Sequence, residues 1–171
     1  MKTRLPASRR GFALLMAVIF MSVMLTFGLK LGSLGYKQQI LASAVTESQY
    51  AFYAADTALE CALYADQQLN FFAVADYVEG QDPKTMSCGG SDTITVTQSL
   101  SSDGLILTSR ATIPLDSDTR CADITVYKPP PSSGTTYIFS QGYDVSCERA
   151  HPVDMGAPED RFVSRGIEIH Y

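Results

Sequence analysis

The first third of the chain is dominated by one long apolar run. It extends from Gly11 to Leu29 (GFALLMAVIFMSVMLTFGL) without a charged residue, and no proline occurs between positions 7 and 82. As a helix this run would be roughly 28 Å long, about the hydrocarbon thickness of a bilayer. Because a helix satisfies its own backbone hydrogen bonds in lipid, we predict a transmembrane helix over residues 12–35.

Helical periodicity continues past Lys30, with apolar residues recurring at spacings of three and four. We therefore predict an amphipathic continuation over residues 36–68, and a helix of roughly 80 Å from Phe12 to about Asp66. Its predicted packing face comprises Leu41, Val45, Ser48, Phe52, Ala55, Leu59 and Ala62, beside a flatter stripe of Ala44, Ala51, Ala54, Ala58, Cys61 and Ala65. For Tyr50, Tyr53 and Tyr64 on the opposite side, we favour packing at the helix–sheet boundary over a role as interaction surface.

The remaining residues, 69–171, alternate apolar and polar positions in short runs separated by turn residues. Turns are expected at 101–104 and 116–118, and a loop at 148–160. Short connections favour an antiparallel meander with one face on the helix, which predicts an α+β fold. The predicted strands are Thr93–Gln98, Leu105–Ile113, Ala122–Tyr127, Thr135–Tyr143 and Phe162–Tyr171.

Charge is distributed unevenly along the chain. Lys2, Arg4, Arg9 and Arg10 precede the apolar run, and the first acidic residue is Glu47. An excess of basic residues on one side favours a cytoplasmic N-terminus and an extracytoplasmic head. Loss of residues 1–11 would change the formal net charge from −5 to −9, because nine Lys+Arg would remain against 18 Asp+Glu. Such an acidic chain lacks cations to neutralise phosphates, so we expect no nucleic-acid partner.

The four cysteines, Cys61, Cys88, Cys121 and Cys147, form no close pair of the kind that usually ligates zinc. After an export signal, an even number of cysteines favours two disulfides over free thiols. Four cysteines allow three pairings, among which we favour the sequential one, Cys61–Cys88 and Cys121–Cys147. Each bridge would close a loop of roughly 25 residues and stabilise the head by about 3 kcal/mol.

The apolar run has two further interpretations. A secretory signal peptide would need a small-residue cleavage site soon after its core, yet the best candidate, Ala42-Ser43-Ala44, lies far beyond Leu29. An uncleaved signal anchor explains the apolar run and its orientation. It does not account for the sequence in which the basic leader ends.

That leader ends in Arg9-Arg10-Gly11-Phe12, immediately before the apolar run. Here the chain resembles the type IV prepilins, whose leader peptidase cuts after a glycine and before a phenylalanine. The resemblance implies a leader over residues 1–11, cleavage between Gly11 and Phe12, and N-methylation of Phe12. The segment AFYAADTALE at 51–60 is similar to the one that follows the membrane helix in PilX-type minor pilins.

One position departs from the pattern of major pilins, which carry a glutamate five residues into the mature chain. This chain has Met16 there. In the family, that glutamate pairs with the N-terminal amine of a neighbouring subunit in the apolar filament core, where an unpaired charge is costly. PilX-type and GspK-type minor subunits also lack it. The resemblance therefore favours a minor or initiating subunit.

The sequence contains no Gly-x-Ser-x-Gly elbow, Walker loop or His-Glu-x-x-His motif, so we expect neither an enzyme nor a bound cofactor. Two acidic groups are candidates for cation binding, although a solvated loop and turn-forming aspartates explain them better. The first group is His151, Asp154, Glu159 and Asp160, and the second is Asp116 and Asp118.

The sequence hypothesis is thus a minor pilin or pseudopilin of a type IV pilus-like filament. It implies prepilin peptidase, other pilin subunits and the inner membrane as partners, and an extracellular location once assembled. The alternative is a single-pass, membrane-anchored extracytoplasmic binding domain that does not polymerise. Adhesion, motility, DNA uptake and secretion all remain open as roles.

Overall fold

The computed structural model describes residues 10–80, 83–130, 134–152 and 162–171 of the chain. One long helix precedes a six-stranded sheet, which confirms the predicted α+β fold. The chain divides between Ser43 and Ala44 into two units, and α1 contributes residues to both. The elements are α1 (Arg10–Gln67), a 3₁₀ turn (Val74–Asp76), β1 (Lys84–Cys88), β2 (Ser91–Leu100), β3 (Leu107–Leu115), β4 (Arg120–Lys128), β5 (Tyr137–Tyr143), α2 (Cys147–Ala150) and β6 (Ser164–His170).

In the first unit, the side chains of α1 are exposed from residue 12 to residue 43. The polar side chains within this apolar region are satisfied by the helix itself. The hydroxyls of Ser22 and Thr26 donate hydrogen bonds of 2.8 Å to the carbonyl oxygens of Ile19 and Val23. By length and composition this helix is able to cross a membrane, as expected from the sequence.

The second unit contains the sheet, whose strands pair in chain order from β1 to β6. Every neighbouring pair is antiparallel, which confirms the predicted meander. The expected turns are also present: Gly104 adopts a φ of 70°, and Asp116, Ser117 and Asp118 adopt φ values of 51°, 58° and 64°. Left-handed backbone of this kind is typical of turn-forming glycine and aspartate.

Besides the 3₁₀ turn, two elements were not predicted. β1 carries only two buried apolar side chains, Met86 and Cys88, so its alternation is too short to be conspicuous. α2 forms within the segment expected to be a loop, and its first residue, Cys147, is fixed to β4 by a disulfide. Residues 153–160 of that expected loop lie outside the described part of the chain.

The last part of α1 packs on the sheet through small side chains. Ser140 of β5 is buried, and its hydroxyl donates a 2.7 Å hydrogen bond to the carbonyl oxygen of Ala55. A Cβ atom at Gly142 would lie 2.1 Å from the carbonyl oxygen of Ala51 and 2.4 Å from the backbone nitrogen of Ala55. Helix and strand therefore approach closely because neither carries a large side chain at the contact. The buried residues on this face of α1 are Ala51, Ala54, Ala55, Ala58, Leu59, Ala62 and Ala65.

The predicted packing face of the helix needs correction. Leu41, Val45 and Phe52 were placed on it, but they are 69%, 54% and 48% exposed. The buried stripe instead combines four alanines of the neighbouring stripe with Ala55, Leu59 and Ala62 of the predicted face. These four are Ala51, Ala54, Ala58 and Ala65, while Ala44 is exposed. Close approach to β5 selects the small residues for burial and leaves the larger ones outside. Across the stripe, the sheet supplies Ile94, Val96, Ile113, Ile124, Val126 and Ile138 to the core.

Near the end of α1, Asp66 is a buried carboxylate with 3% exposure. It forms an ion pair with Lys128 of β4 and accepts a hydrogen bond from the hydroxyl of Tyr171, which follows β6. Burial and the hydrogen bond to Asp66 together raise the pKa of Tyr171. Because a buried charge without its partner is strongly unfavourable, these contacts connect the end of the helix to the sheet.

The structure contains two disulfides, Cys61–Cys88 and Cys121–Cys147, which is the sequential pairing. The first joins α1 to β1 across 27 residues, and the second joins β4 to α2 across 26 residues. Each therefore closes a loop that contains a boundary between elements. Crosslinks of this kind restrict the unfolded chain, and they hold β1 and α2 in place.

Candidate functional site

The expected processing site lies in the first turn of α1. The helix begins at Arg10, so that Gly11 and Phe12 follow directly and Met16 lies one turn later. The side chains of Phe12 and Met16 are 68% and 53% exposed. Residues 1–9 of the expected leader lie outside the described part of the chain. Phe12 and Met16 are separated by four positions, so they lie on the same side of the helix.

The apolar segment of α1 exposes large side chains around its whole circumference. Phe20, Met21, Leu25 and Phe27 are each more than 60% exposed although they lie at different angles around the helix. A helix that is apolar on all sides requires apolar surroundings, either lipid or the interior of an assembly. The exposed apolar surface of α1 therefore needs lipid or other protein chains to cover it.

A second candidate site is a polar cluster on the outer face of the sheet, centred on Asp123 of β4. Its Oδ1 accepts a 2.7 Å hydrogen bond from the hydroxyl of Thr112, and its Oδ2 accepts a 2.9 Å hydrogen bond from the hydroxyl of Tyr143. The Nε2 atom of His151 lies 2.9 Å from the same Oδ2. The rings of Tyr143 and His151 meet edge to face at 5.5 Å. Burial, reinforced by the hydrogen bond to Asp123, raises the pKa of Tyr143 to about 12.

This cluster does not have the composition of a metal site. Within the described residues, Cys121, Asp123 and His151 are the one group of three whose donor atoms lie within 4.8 Å of one another. However, the Cys121 sulfur is bonded to Cys147, so it offers no thiolate. Asp123 and His151 already contact each other. The hydrogen bonds of the cluster stabilise the residues around α2.

The cation candidates from the sequence fall into two groups. Of the first, His151 contacts Asp123, while Asp154, Glu159 and Asp160 lie outside the described residues. In the second, Asp116 forms an ion pair with Arg120, and Asp116 and Asp118 both have left-handed backbone in the β3–β4 turn. These two aspartates are therefore explained by the turn they form.

Tyr50, Tyr53 and Tyr64 of α1 were expected to pack at the helix–sheet boundary, and this prediction is confirmed for Tyr50 but wrong for Tyr64. Tyr53 and Tyr64 are each 61% exposed and Tyr50 is 43% exposed. The ring of Tyr50 contacts the guanidinium of Arg120, whose central carbon lies 4.1 Å from the ring centre. Tyr53 borders a pocket that it shares with Leu115 of β3. Because the alanine stripe occupies the contact with the sheet, the rings of Tyr53 and Tyr64 are left largely exposed.

One feature of the outer sheet face was missed in the sequence. Tyr127, Tyr137, Phe139 and Glu168 line a pocket of ≈270 Å³ on strands β4, β5 and β6, which we call the aromatic pocket. The three aromatic side chains are 40%, 45% and 39% exposed, in that order. The available signal was the alternation along the strands, since the three aromatic residues flank the inward Val126 and Ile138 and must therefore point outward.

Searches with the sequence and the structure matched no protein-family model, no curated protein and no solved structure.

Proposed function

We propose that this chain is a structural subunit, a minor pilin or pseudopilin, of a type IV pilus-like filament. The observation that carries the proposal is helix α1, which is apolar and exposed over its first part and packed on a sheet through alanines over its last. In the membrane, lipid would cover the apolar surface of α1. In the filament, neighbouring subunits would bury the same surface. Equivalent contacts between the helices of successive subunits, made through a non-closing interface, then build a helical filament.

The leader supplies the second support. Four basic residues precede Gly11, and the apolar segment follows it directly. In this proposal, prepilin peptidase cuts between Gly11 and Phe12 on the cytoplasmic side of the inner membrane, and Phe12 becomes the methylated N-terminus. The head lies outside the cytoplasm, and the subunit becomes extracellular when the helices of other pilin subunits surround α1.

Met16 supports a minor or initiating position in the filament. The charge on the new N-terminal amine of Phe12 would have no carboxylate at position 16 of a neighbouring identical subunit. In an apolar filament core that amine would be buried without a counter-charge, which is strongly unfavourable. A subunit used once, or next to a different subunit that supplies the carboxylate, avoids this cost.

The test is the N-terminal residue and intact mass of membrane-extracted protein that has been co-expressed with a prepilin peptidase. We expect a chain that starts at Phe12 and carries one methyl group. Gly11→Leu should abolish the cut because it places a bulky side chain at the cleaved bond. Gly35→Leu, a matched substitution in the same helix with no other side chain within 4 Å, should be processed normally.

Other N-termini would contradict the proposal. A chain that starts at Met1, while a control prepilin is cut in the same cells, would indicate a signal-anchored binding domain. A start near Val45 would indicate a secretory signal peptide and a soluble secreted head.

A further inference from the structure

We propose that the aromatic pocket binds a quaternary ammonium group. Its walls come from three neighbouring strands on the face of the sheet opposite α1. Tyr127 of β4 is directly opposite Tyr137 of β5, and Phe139 of β5 is directly opposite Glu168 of β6. Directly opposed side chains in an antiparallel sheet are separated by about 5 Å at Cβ, so this register alone brings three rings and one carboxylate together.

The position of Phe139 is fixed by a glycine on the neighbouring strand. A Cβ atom at Gly166 would lie 3.2 Å from the Cε2 and Cζ atoms of the Phe139 ring. The ring therefore lies over Gly166, which covers the exposed backbone of β6 while leaving the ring 39% accessible. On the other side of the pocket, Tyr137 stacks against His170 at 5.8 Å between ring centres. Both contacts hold aromatic side chains in place without burying them.

Cross-strand aromatic pairs also stabilise sheets, and this explanation accounts for Tyr127 and Tyr137 alone. Pairing does not account for the aromatic pocket, which is bordered by three rings and by the exposed carboxylate of Glu168. Adjacent accessible rings with one convergent polar group are the lining that is typical of ligand-binding pockets.

The chemistry of the lining selects a cation. Each aromatic face carries partial negative charge, and Glu168 adds a full negative charge, while none of the four residues that border the pocket is basic. Rings and a carboxylate arranged in this way are suited to quaternary ammonium groups, which bind through cation–π attraction and lose little hydration. The volume of ≈270 Å³ is below the roughly 300–1,000 Å³ of sites for drug-sized ligands, which fits a headgroup.

The experiment measures the binding of choline and of its uncharged carbon isostere, 3,3-dimethyl-1-butanol. The full chain is used in maltoside micelles, which contain no choline headgroup, and binding is followed by calorimetry. The two ligands have the same shape and differ in charge. We expect choline to bind at least tenfold more tightly than the isostere, because cation–π attraction and Glu168 act on the charge alone.

Variants then locate the binding site. Tyr137→Leu and Phe139→Leu keep apolar volume and remove a ring face, and Glu168→Gln keeps the shape and removes the charge. Each should weaken choline binding by roughly three- to tenfold. The control is Tyr64→Leu, because Tyr64 is an exposed ring on α1 outside the pocket, and this variant should bind choline as the parent does.

Three results would overturn the proposal: equal binding of choline and the isostere, no binding of choline at 50 mM, or choline binding that all three pocket variants leave unchanged. If choline binds as expected, vesicles of phosphatidylcholine and of phosphatidylglycerol identify the source of the group. Selective retention on phosphatidylcholine indicates a lipid headgroup, and its absence indicates a free quaternary amine. Because the protein in this assay is not polymerised, the result is independent of whether the chain forms a filament.

Discussion

At the scale of single residues, the contact between α1 and β5 leaves no room for a side chain at position 142. Gly142→Ala would place a methyl group 2.1 Å from the carbonyl oxygen of Ala51, an atom of the helix backbone that cannot rotate away. We expect the free energy of unfolding of the head to fall by about 3 kcal/mol, at the upper end of overpacking effects. Urea denaturation followed by circular dichroism measures this change.

The matched control for Gly142→Ala is Gly35→Ala, where the added Cβ meets no atom within 4 Å. It should leave the unfolding midpoint of the head unchanged. A Gly142→Ala variant as stable as the parent would mean that helix and strand are further apart than described, and would remove the reason for the alanine stripe.

A second residue-scale prediction concerns alkaline pH. The pKa of Tyr143 is raised to about 12, chiefly by burial and further by its hydrogen bond to Asp123. Since folding favours the protonated phenol, this stabilisation is complete below pH 10 and is lost as the pH rises through 12. Tyr171, whose pKa is also raised, contributes with the same sign. We therefore expect the urea midpoint to fall between pH 10 and pH 12.

Variants separate this effect from general alkaline denaturation. Tyr143→Phe should reduce the slope of the midpoint against pH, at the cost of about 1 kcal/mol at pH 7 for the lost hydrogen bond. Tyr64→Phe alters a tyrosine that is 61% exposed and should leave the slope unchanged. Identical slopes for Tyr143→Phe and the parent would show that folding does not raise the pKa of Tyr143.

At the scale of elements, the Cys61–Cys88 bridge should hold α1 and β1 together. Replacing both cysteines by alanine should lower the free energy of unfolding by about 3 kcal/mol, since a loop of 27 residues is no longer closed. The matched control is the Cys121→Ala/Cys147→Ala pair, which releases α2 and leaves the contact of α1 with β1 intact. Hydrogen exchange should show faster exchange in β1 for the first pair only.

A simple mass measurement accompanies this prediction. Exported, non-reduced protein treated with an alkylating reagent should gain no mass, because all four cysteines are paired. Protein that gains four alkyl groups would show that the bridges do not form.

The sequence identified the elements better than the surfaces between them. Runs of alternating residues located five of the six strands, because inward Ile and Val mark a half-buried strand clearly. β3 begins at Leu107 instead of Leu105, since the carbonyl of Ile106 is bound by the backbone of Ser101 in the preceding turn. Which face of α1 packs on the sheet was not predictable from apolarity, because the contact is decided by the size of side chains on β5.

At the scale of the whole molecule, charge, orientation and disulfides are linked. The four basic residues before Phe12 favour retention of the N-terminus in the cytoplasm. In the orientation that we propose, the head would be exported and its cysteines would meet an oxidising compartment. Exchange of Lys2, Arg4 and Arg9 for glutamate should reduce export, and the head should then retain four alkylatable thiols. Arg10 is left unchanged so that the residue next to Gly11 is the same in both proteins.

The readout is a single cysteine added at Ser102, which is exposed in the turn between β2 and β3. In intact spheroplasts, a membrane-impermeant maleimide should label Ser102→Cys in the parent and should fail to label it when the leader charges are reversed. A matched chain with Lys30, Lys37 and Lys84 changed to glutamine loses the same number of cations after the apolar run and should be labelled like the parent. Equal labelling of the two proteins would mean that the leader charges do not determine the membrane orientation. The proposed role of the leader would then be limited to processing.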